Sequence, residues 1–449
     1  MASPLDAFLS IAMRKVTDNP QERRNLFWLT LASLLNGAGA TLYGGELWNG
    51  FLSRTGFDVQ QIGLIASAVG FASSLGLIGF MGLADRIQKR VRTYAMLVAV
   101  TALAPLLTVG LAHIPRVAFP LSAFFVAITV IGVGQSLVIS VPIMLDYPIW
   151  ARSISPGVRG KLFGITTVAY GFLGIGIGWL SANVLKNVSY PTGYAWCFMA
   201  AAVMITLRAT AYSRNRELPE LAVDGASRSA FPMTAIVDVL KLKEFQWLAG
   251  PHVVRGLAVS VLGLTLPTAI EKLGMPDYIS GYAASTTTAA TVLGGTAVGL
   301  LADRLGPAIT TLLADVLYAA GMATVVMYPN PWLFLILYFV MQFGRNIEDN
   351  SVPLGCIQTV PTEHLGAFSA ARLMVLNGSS AAGAALFGYL LKNYSFTMVF
   401  ALAAVMKLLT GVWFWYVFRL KRPDRTREGE VPTADGDATQ EEVSAPGDE

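Results

Sequence analysis

Charge is what this sequence has least of. Asp, Glu, Lys and Arg together make up 13% of its 449 residues, against 54% hydrophobic, whereas a soluble globular domain carries about one-quarter charged residues. A water-soluble enzyme or binding domain is thereby excluded. Histidine and cysteine are scarcer still, at three and two. His113, His252 and His364 fall on separate segments, which leaves no ligand cluster for a metal, and Cys197 and Cys356 read as small buried side chains. No glycine-rich loop ending in Lys-Ser or Lys-Thr is present, so ATP hydrolysis is not the energy source. No nucleophile elbow or triad signature is visible, and neither catalysis nor a cofactor is expected. The first residues also lack the apolar core of a cleavable signal. They read instead as a surface amphipathic helix, with Leu5, Phe8, Leu9, Ala12, Met13 and Val16 on one face.

What is present is apolar length. Residues 59–84, 93–112, 117–145, 162–185 and 278–302 contain no charged side chain, and each suffices for the roughly 20 residues that cross a bilayer as a helix. Unbroken apolarity is not the alternating pattern of a barrel strand. The reading is therefore an all-α integral membrane protein with about twelve transmembrane helices. The spans fall near 25–50, 59–84, 93–112, 117–147, 161–185, 193–213, 244–270, 278–301, 308–328, 331–357, 366–391 and 395–419.

Bases near span ends are retained on the cytoplasmic side. With the N-terminus inside, the inner segments hold Arg14, Lys15, Arg23, Arg24, Arg86, Lys89, Arg90, Arg92, Arg152, Arg159, Lys161 and more. The outer turns hold only Arg54, Arg116, Lys186, Lys272 and Lys392. Both termini are thus expected in the cytoplasm, and a bacterial inner membrane is the expected home. The net charge of +4 follows topology and does not point to nucleic acid. Five regions result: an amphipathic segment 1–24, a first six-helix bundle 25–213, a polar linker 214–243, a second six-helix bundle 244–420, and a tail 421–449. That tail is rich in Glu, Asp, Pro, Gly and Thr, without apolar periodicity, and is expected to be disordered.

The two bundles carry a repeated charged turn. "MGLADRIQKRVR" follows the second span and "GLLADRLGPA" follows the eighth, an internal repeat of six spans. Pro148 and Pro156 frame the exit of the fourth span, and Pro353 and Pro361 frame the exit of the tenth at the same spacing. Repeats of this kind build many secondary transporters, with the solute site between halves near mid-membrane.

At these residues the chain resembles the major facilitator superfamily. Asp85, Arg86, Lys89 and Arg90 match the family's signature turn in the first copy, although Met81 and Gln88 stand where glycines belong. Gly299, Asp303, Arg304 and Gly306 match in the second, where Pro307 and Ala308 replace the bases. The resemblance covers nearly all of 25–420. It implies two pseudo-symmetric bundles, alternating access, a small-molecule solute with or without protons, and a monomer. A carboxylate at such a turn can cap a helix N-terminus. By the family's packing, Asp85 would meet the eleventh span near Gly366 and Asp303 the fifth near Gly160. Asp85, Arg86, Arg90, Asp303 and Arg304 are therefore read as a gate latch. The Gly-Pro pattern of drug antiporters in the fifth span lacks its proline in "GFLGIGIGW", and an Arg in the middle of the fourth is missing, which counts against drug export.

Ionisable groups inside spans usually face the bundle interior. In the tenth span Tyr338, Gln342, Arg345, Asn346 and Asp349 share one helical face, with Glu348 beside Arg345. The seventh adds His252 and Arg255 beside Pro251, and the first adds Asn36, Tyr43 and Glu46. Glu46, Arg255, Gln342, Arg345, Asn346, Glu348 and Asp349 form the expected solute or ion cavity. The arginines favour an anionic group, held bidentately, and the carboxylates favour cations or protons. Asp315 and Lys407 are expected to pack or snorkel at the periphery. The function these features favour is transport of a small polar solute, with an anionic one admitted. A multidrug or metabolite exporter of the same fold, and a transporter-like scaffold or sensor, are the alternatives.

Overall fold

The computed structural model describes residues 16–84, 87, 89–115, 117, 119–218, 238–360 and 365–420. The amphipathic segment before Val16, the latch residues Asp85 and Arg86, and the tail from 421 lie outside them. Every regular element is helical among the described residues: α1 (Pro20–Tyr43), α2 (Gly45–Thr55), α3 (Val59–Ala84), α4 (Arg90–Thr101), α5 (Leu103–Ala112), α6 (Leu121–Ser153), α7 (Pro156–Asn187) and α8 (Thr192–Ser213) form the first half. The second half is α9 (Lys243–Leu273), α10 (Ile279–Thr324), α11 (Pro331–Thr359), α12 (Leu365–Asn393) and α13 (Phe396–Leu420).

Ten stretches of described helix are long and apolar enough to cross a membrane. One of them, α10, has 46 residues and leaves helical geometry at Gly306, φ 77°. At about 1.5 Å per residue it is twice the length a bilayer needs, so it supplies the eighth and ninth spans. α11 adds the remaining one, its charges keeping it below the apolar threshold. The protein is an integral, multi-pass membrane protein of twelve spans in two bundles.

Several spans differ from the lengths read off hydropathy. The first begins at Pro20, because Asn19 caps it by accepting the N–H groups of Gln21 and Glu22, a polar start beyond the apolar run. It then breaks at Gly44, whose extended backbone separates α1 from α2. The third span breaks at Ala102 between α4 and α5. α7 runs past its apolar run at both ends and α6 at its C-terminal end, since a helix does not stop where the bilayer does.

Successive spans alternate in direction, so the described chain ends, Pro20 and Leu420, share one end of the molecule, called here the terminal end. The two halves meet along α3 with α12 and α7 with α10. Small residues allow this. A Cβ on Gly63 would strike the Ala384 carbonyl, and one on Gly281 would strike the Ala182 backbone.

At the far end the halves are also joined by polar contacts. Arg54 pairs with Asp277. Lys392 Nζ reaches Asp58 Oδ2 at 2.9 Å, and the Val59 N–H donates to Glu271 at 3.0 Å. Asn49 donates to the Gly263 carbonyl at 2.8 Å. Towards the terminal end α7 and α10 part. A cleft of about 480 Å³ lies between Phe163–Tyr170 and Thr291–Thr296.

Candidate functional site

At mid-depth, below the far-end contacts, a cavity of about 330 Å³ is walled by both halves. The first half contributes Glu46 and Asn49 on α2 and Gly70 and Ser73 on α3. The second contributes Ser260 and Gly263 on α9, Tyr338, Gln342 and Arg345 on α11, and Asn377 and Ser380 on α12.

Glu46 is placed by the break at Gly44. It occupies the first turn of α2, where the exposed N–H groups favour an acidic side chain. α2 is itself seated by an aromatic floor, with Phe51 edge-on to Phe198 at 5.3 Å and near Trp48. Glu46 Oε1 accepts from Thr287 at 2.5 Å and from Tyr338 at 3.0 Å. Tyr338 in turn accepts from Gln342 Nε2 at 2.8 Å. All of Glu46's donors thus come from the opposite half. Gln342 is 1% exposed and its Oε1 has no partner.

Arg345 meets Asp349 through Nε at 3.4 Å, and the side chain is 36% exposed. Its terminal nitrogens make no hydrogen bond to a described residue. Asp349 bridges Arg345 to Arg255. Asn346 donates to the Gln342 carbonyl at 2.8 Å and packs on Gly294.

Of the expected cavity residues, Glu46, Gln342 and Arg345 line the cavity, and Arg255, Asn346, Glu348 and Asp349 do not. Glu348 sits one residue, about 100°, back around α11 from Asp349, which turns it away from the stripe and into the second half. There Glu348 Oε1 pairs with Arg255 at 2.6 Å and Lys407 at 2.6 Å, and Lys407 pairs with Asp315 at 2.7 Å. Lys407 also lies 4.8 Å over the Tyr318 ring. The expectation that Asp315 and Lys407 snorkel is corrected: both are fully buried, because each finds its counter-ion inside the bundle. Arg255, Arg345 and Lys407 pair with Asp315, Glu348 and Asp349 on α9, α10, α11 and α13, and Arg372 on α12 lies close to Asp349 as a fourth base. His252, one turn before Arg255, is buried against Phe414 with both ring nitrogens unpartnered.

A smaller polar cluster in the first half went unread in the sequence. Tyr212 donates to Asp146 at 2.6 Å, Arg208 donates to Tyr94 at 2.6 Å, and the two rings stack at 3.8 Å. Its signal was available: Asp146 and Arg208 are lone opposite charges in the fourth and sixth apolar runs. Thr287 carried none.

Of the described latch residues, Arg90 opens α4. Asp303 and Arg304 are exposed just before the bend at Gly306, and Asp303 makes no hydrogen bond or ion pair to the start of α7.

Two six-span bundles, related by a repeat and enclosing a polar cavity at mid-depth, define the architecture of a membrane carrier. The profile of the Major Facilitator Superfamily matches residues 248–443. A crystal structure of a variant of the nucleoside transporter NupG superposes with a TM-score of 0.70, covering 88% of this chain and 99% of that one at 12% identity, a likeness of fold. The family match thus lies on the second half of the chain, and the likeness that spans both halves is one of fold. In sequence, the chain is 25% identical over 145 residues to inositol transporter 4 of Arabidopsis thaliana, 32% of this chain and 22% of that protein. It is 29% identical over 139 residues to the multidrug resistance protein MdtH of Citrobacter koseri, 30% of this chain and 34% of that protein. The chain therefore matches about a third or less of the length of either relative.

Proposed function

We propose that the protein is a secondary transporter that moves a small polar solute by alternating access. The observation that carries this reading is the cavity itself. It lies at mid-depth, both halves wall it, and it is closed at the far end while α7 and α10 separate towards the terminal end. A rocking of one half on the other would exchange which end is open. With the termini in the cytoplasm, the conformation is inward-facing, and the latch expected of Asp303, which is not made with the described residues of α7, belongs to the other state.

The wall sets polar side chains among Ala66, Val259, Leu262, Leu266, Ala381 and Ala384, and the polar ones call for a solute that can pair with them. The wall's amides, hydroxyls, carboxylate and guanidinium would leave a lipophilic drug facing unpaired groups, each costly to bury. Arg345 is the group that meets the solute's anionic end, since its fork is open to the cavity while Arg255 is consumed by Glu348 and Asp349. The related proteins are named for inositol, for nucleosides and for drugs, and the wall supports the hydrophilic members of that set.

Solute counterflow in proteoliposomes tests the reading, across polyols, nucleosides, amino acids and organic acids, with the proton gradient imposed and collapsed. Saturable exchange of one hydrophilic solute is expected. Exchange confined to lipophilic cations would overturn the polar-solute assignment, and its absence for every class would overturn transport.

A further inference from the structure

Resting on that transport reading, we infer that the solute is a zwitterion, its anionic end on Arg345 and a protonated primary or secondary amine on Glu46. In the second half four bases, Arg255, Arg345, Arg372 and Lys407, face three acids, Asp315, Glu348 and Asp349, and Arg345 is held only by a 3.4 Å contact to an Asp349 that Arg255 already engages. Glu46 stands outside that cluster. Only hydroxyl groups donate to it, both on Oε1, and no described base lies within ion-pair distance. Its other oxygen has no partner among the described residues, on a wall of the same cavity that Arg345 faces.

Opposite charges with open hydrogen-bonding capacity thus stand on one cavity, in different halves, without meeting each other. A singly charged anion would satisfy Arg345 and leave Glu46 without a counter-charge. A singly charged cation would do the reverse, and a neutral polyol would compensate neither. A solute with both charges satisfies both walls and leaves the net charge of the site unchanged. An ammonium with N–H groups can donate to the open carboxylate oxygen of Glu46, which a quaternary ammonium could not do. Because Glu46 belongs to α2 and Arg345 to α11, such a solute straps the halves together.

The test uses the full chain in proteoliposomes. The probes are the radiolabelled α-amino acids and 4-aminobutyrate, each with its decarboxylated amine and deaminated acid as competitors, and xylose, myo-inositol and uridine as neutral solutes. At least one zwitterion is expected to exchange while its singly charged analogues compete poorly. Glu46→Gln should weaken that zwitterion about tenfold or more, the size of one charge-assisted hydrogen bond, and abolish its advantage over the deaminated acid. Arg345→Gln should abolish its advantage over the decarboxylated amine. Glu46→Asp and Arg345→Lys, checked for a monodisperse elution profile, should keep part of the preference. Exchange of a neutral or singly charged solute with an affinity that Glu46→Gln leaves within about twofold overturns the zwitterion and leaves transport standing. No exchange of any probe by folded protein overturns both.

Discussion

Lys407 is the residue whose role the sequence conceals best. It is a single base in an apolar run, and a long base near a helix end can reach the membrane interface. Its position mid-way along α13, fully buried between Asp315 and Glu348, makes it a counter-ion. Removing one partner of a buried pair costs about 3–5 kcal/mol, because the other charge is left stranded. Lys407→Met should therefore lower the melting temperature of the detergent-purified protein sharply. Lys407→Met with Asp315→Asn should regain most of the loss, since Glu348 keeps Arg255. A double variant no more stable than the single one would show that the cluster does not act as a charge-paired unit. The stripe on the tenth span was readable from spacing, and it did locate Gln342 and Arg345 on the cavity. Which of the neighbouring acids turns inward was not readable. That depends on the helices packed behind α11, and Asp315 and Lys407 are distant from it in sequence. Glu46 was legible as a buried acid, but its partner Thr287 was not. Threonine is ordinary in a span, and only the contact between halves gives it a role.

At the scale of elements, apolar length predicted the number and order of spans, and glycine geometry decided what length could not. A hydropathy run does not reveal that Gly306 turns one helix into two spans, or that Gly44 divides the first span and so exposes Glu46 at a fresh helix start. The crossing of α7 and α10 shows how closely such positions matter. A side chain on Gly281 would meet the Ala182 backbone, which cannot move aside as a side-chain tip can, and overpacking of this kind costs about 1–3 kcal/mol. Because α7 and α10 belong to different halves, the strain falls on one conformation more than the other. Gly281→Val should leave the protein folded and separate the halves at the far end. Spin labels at Ser53 and Lys272 would report a longer distance than in the unaltered protein. An unchanged distance together with unchanged transport would mean that this crossing does not govern closure.

At the scale of the whole molecule, far-end closure rests on exposed ion pairs. The Arg54 and Asp277 side chains are 45% and 20% exposed, and those of Lys392 and Asp58 are 49% and 34% exposed. Pairs of this kind are worth about 0–1 kcal/mol each, enough to bias an equilibrium and too little to lock it. Asp58→Asn with Asp277→Asn should shift the same spin-label distance distribution a few-fold towards the open far end, and more at low salt than at high. Acid should act on the Asp58–Lys392 pair only at low pH. Partial burial works to raise the Asp58 pKa, but the Gln61 and Gln60 N–H groups and Lys392 hold the carboxyl below its ordinary value. A carboxylate so depressed keeps its contribution above its ordinary pKa and loses it as pH falls through the lowered one. Between pH 5 and 8 the Asp58–Lys392 pair should therefore not respond, and a distance distribution that changes across that window would place the titrating group elsewhere.

The charge on α11 also bears on how the chain is made. Glu348 is synthesised 59 residues before Lys407, and α11 is the span that falls short in apolarity. Entering lipid alone, it would carry Arg345, Glu348 and Asp349 at about 2.5–3.5 kcal/mol for each charge near the centre. Arg255 is already in place when α11 emerges, but the second counter-ion is not. α11 is therefore expected to linger at the insertion machinery until α13 arrives, so that the last three spans enter lipid as a group. In a chain ended after Thr359 with Cys197 and Cys356 replaced by Ser, a single cysteine at Phe339 in α11 should react with a membrane-impermeant maleimide, and extending the chain through Leu420 should protect it. Protection in the shorter chain would show that Arg255 alone suffices to draw the tenth span into the membrane.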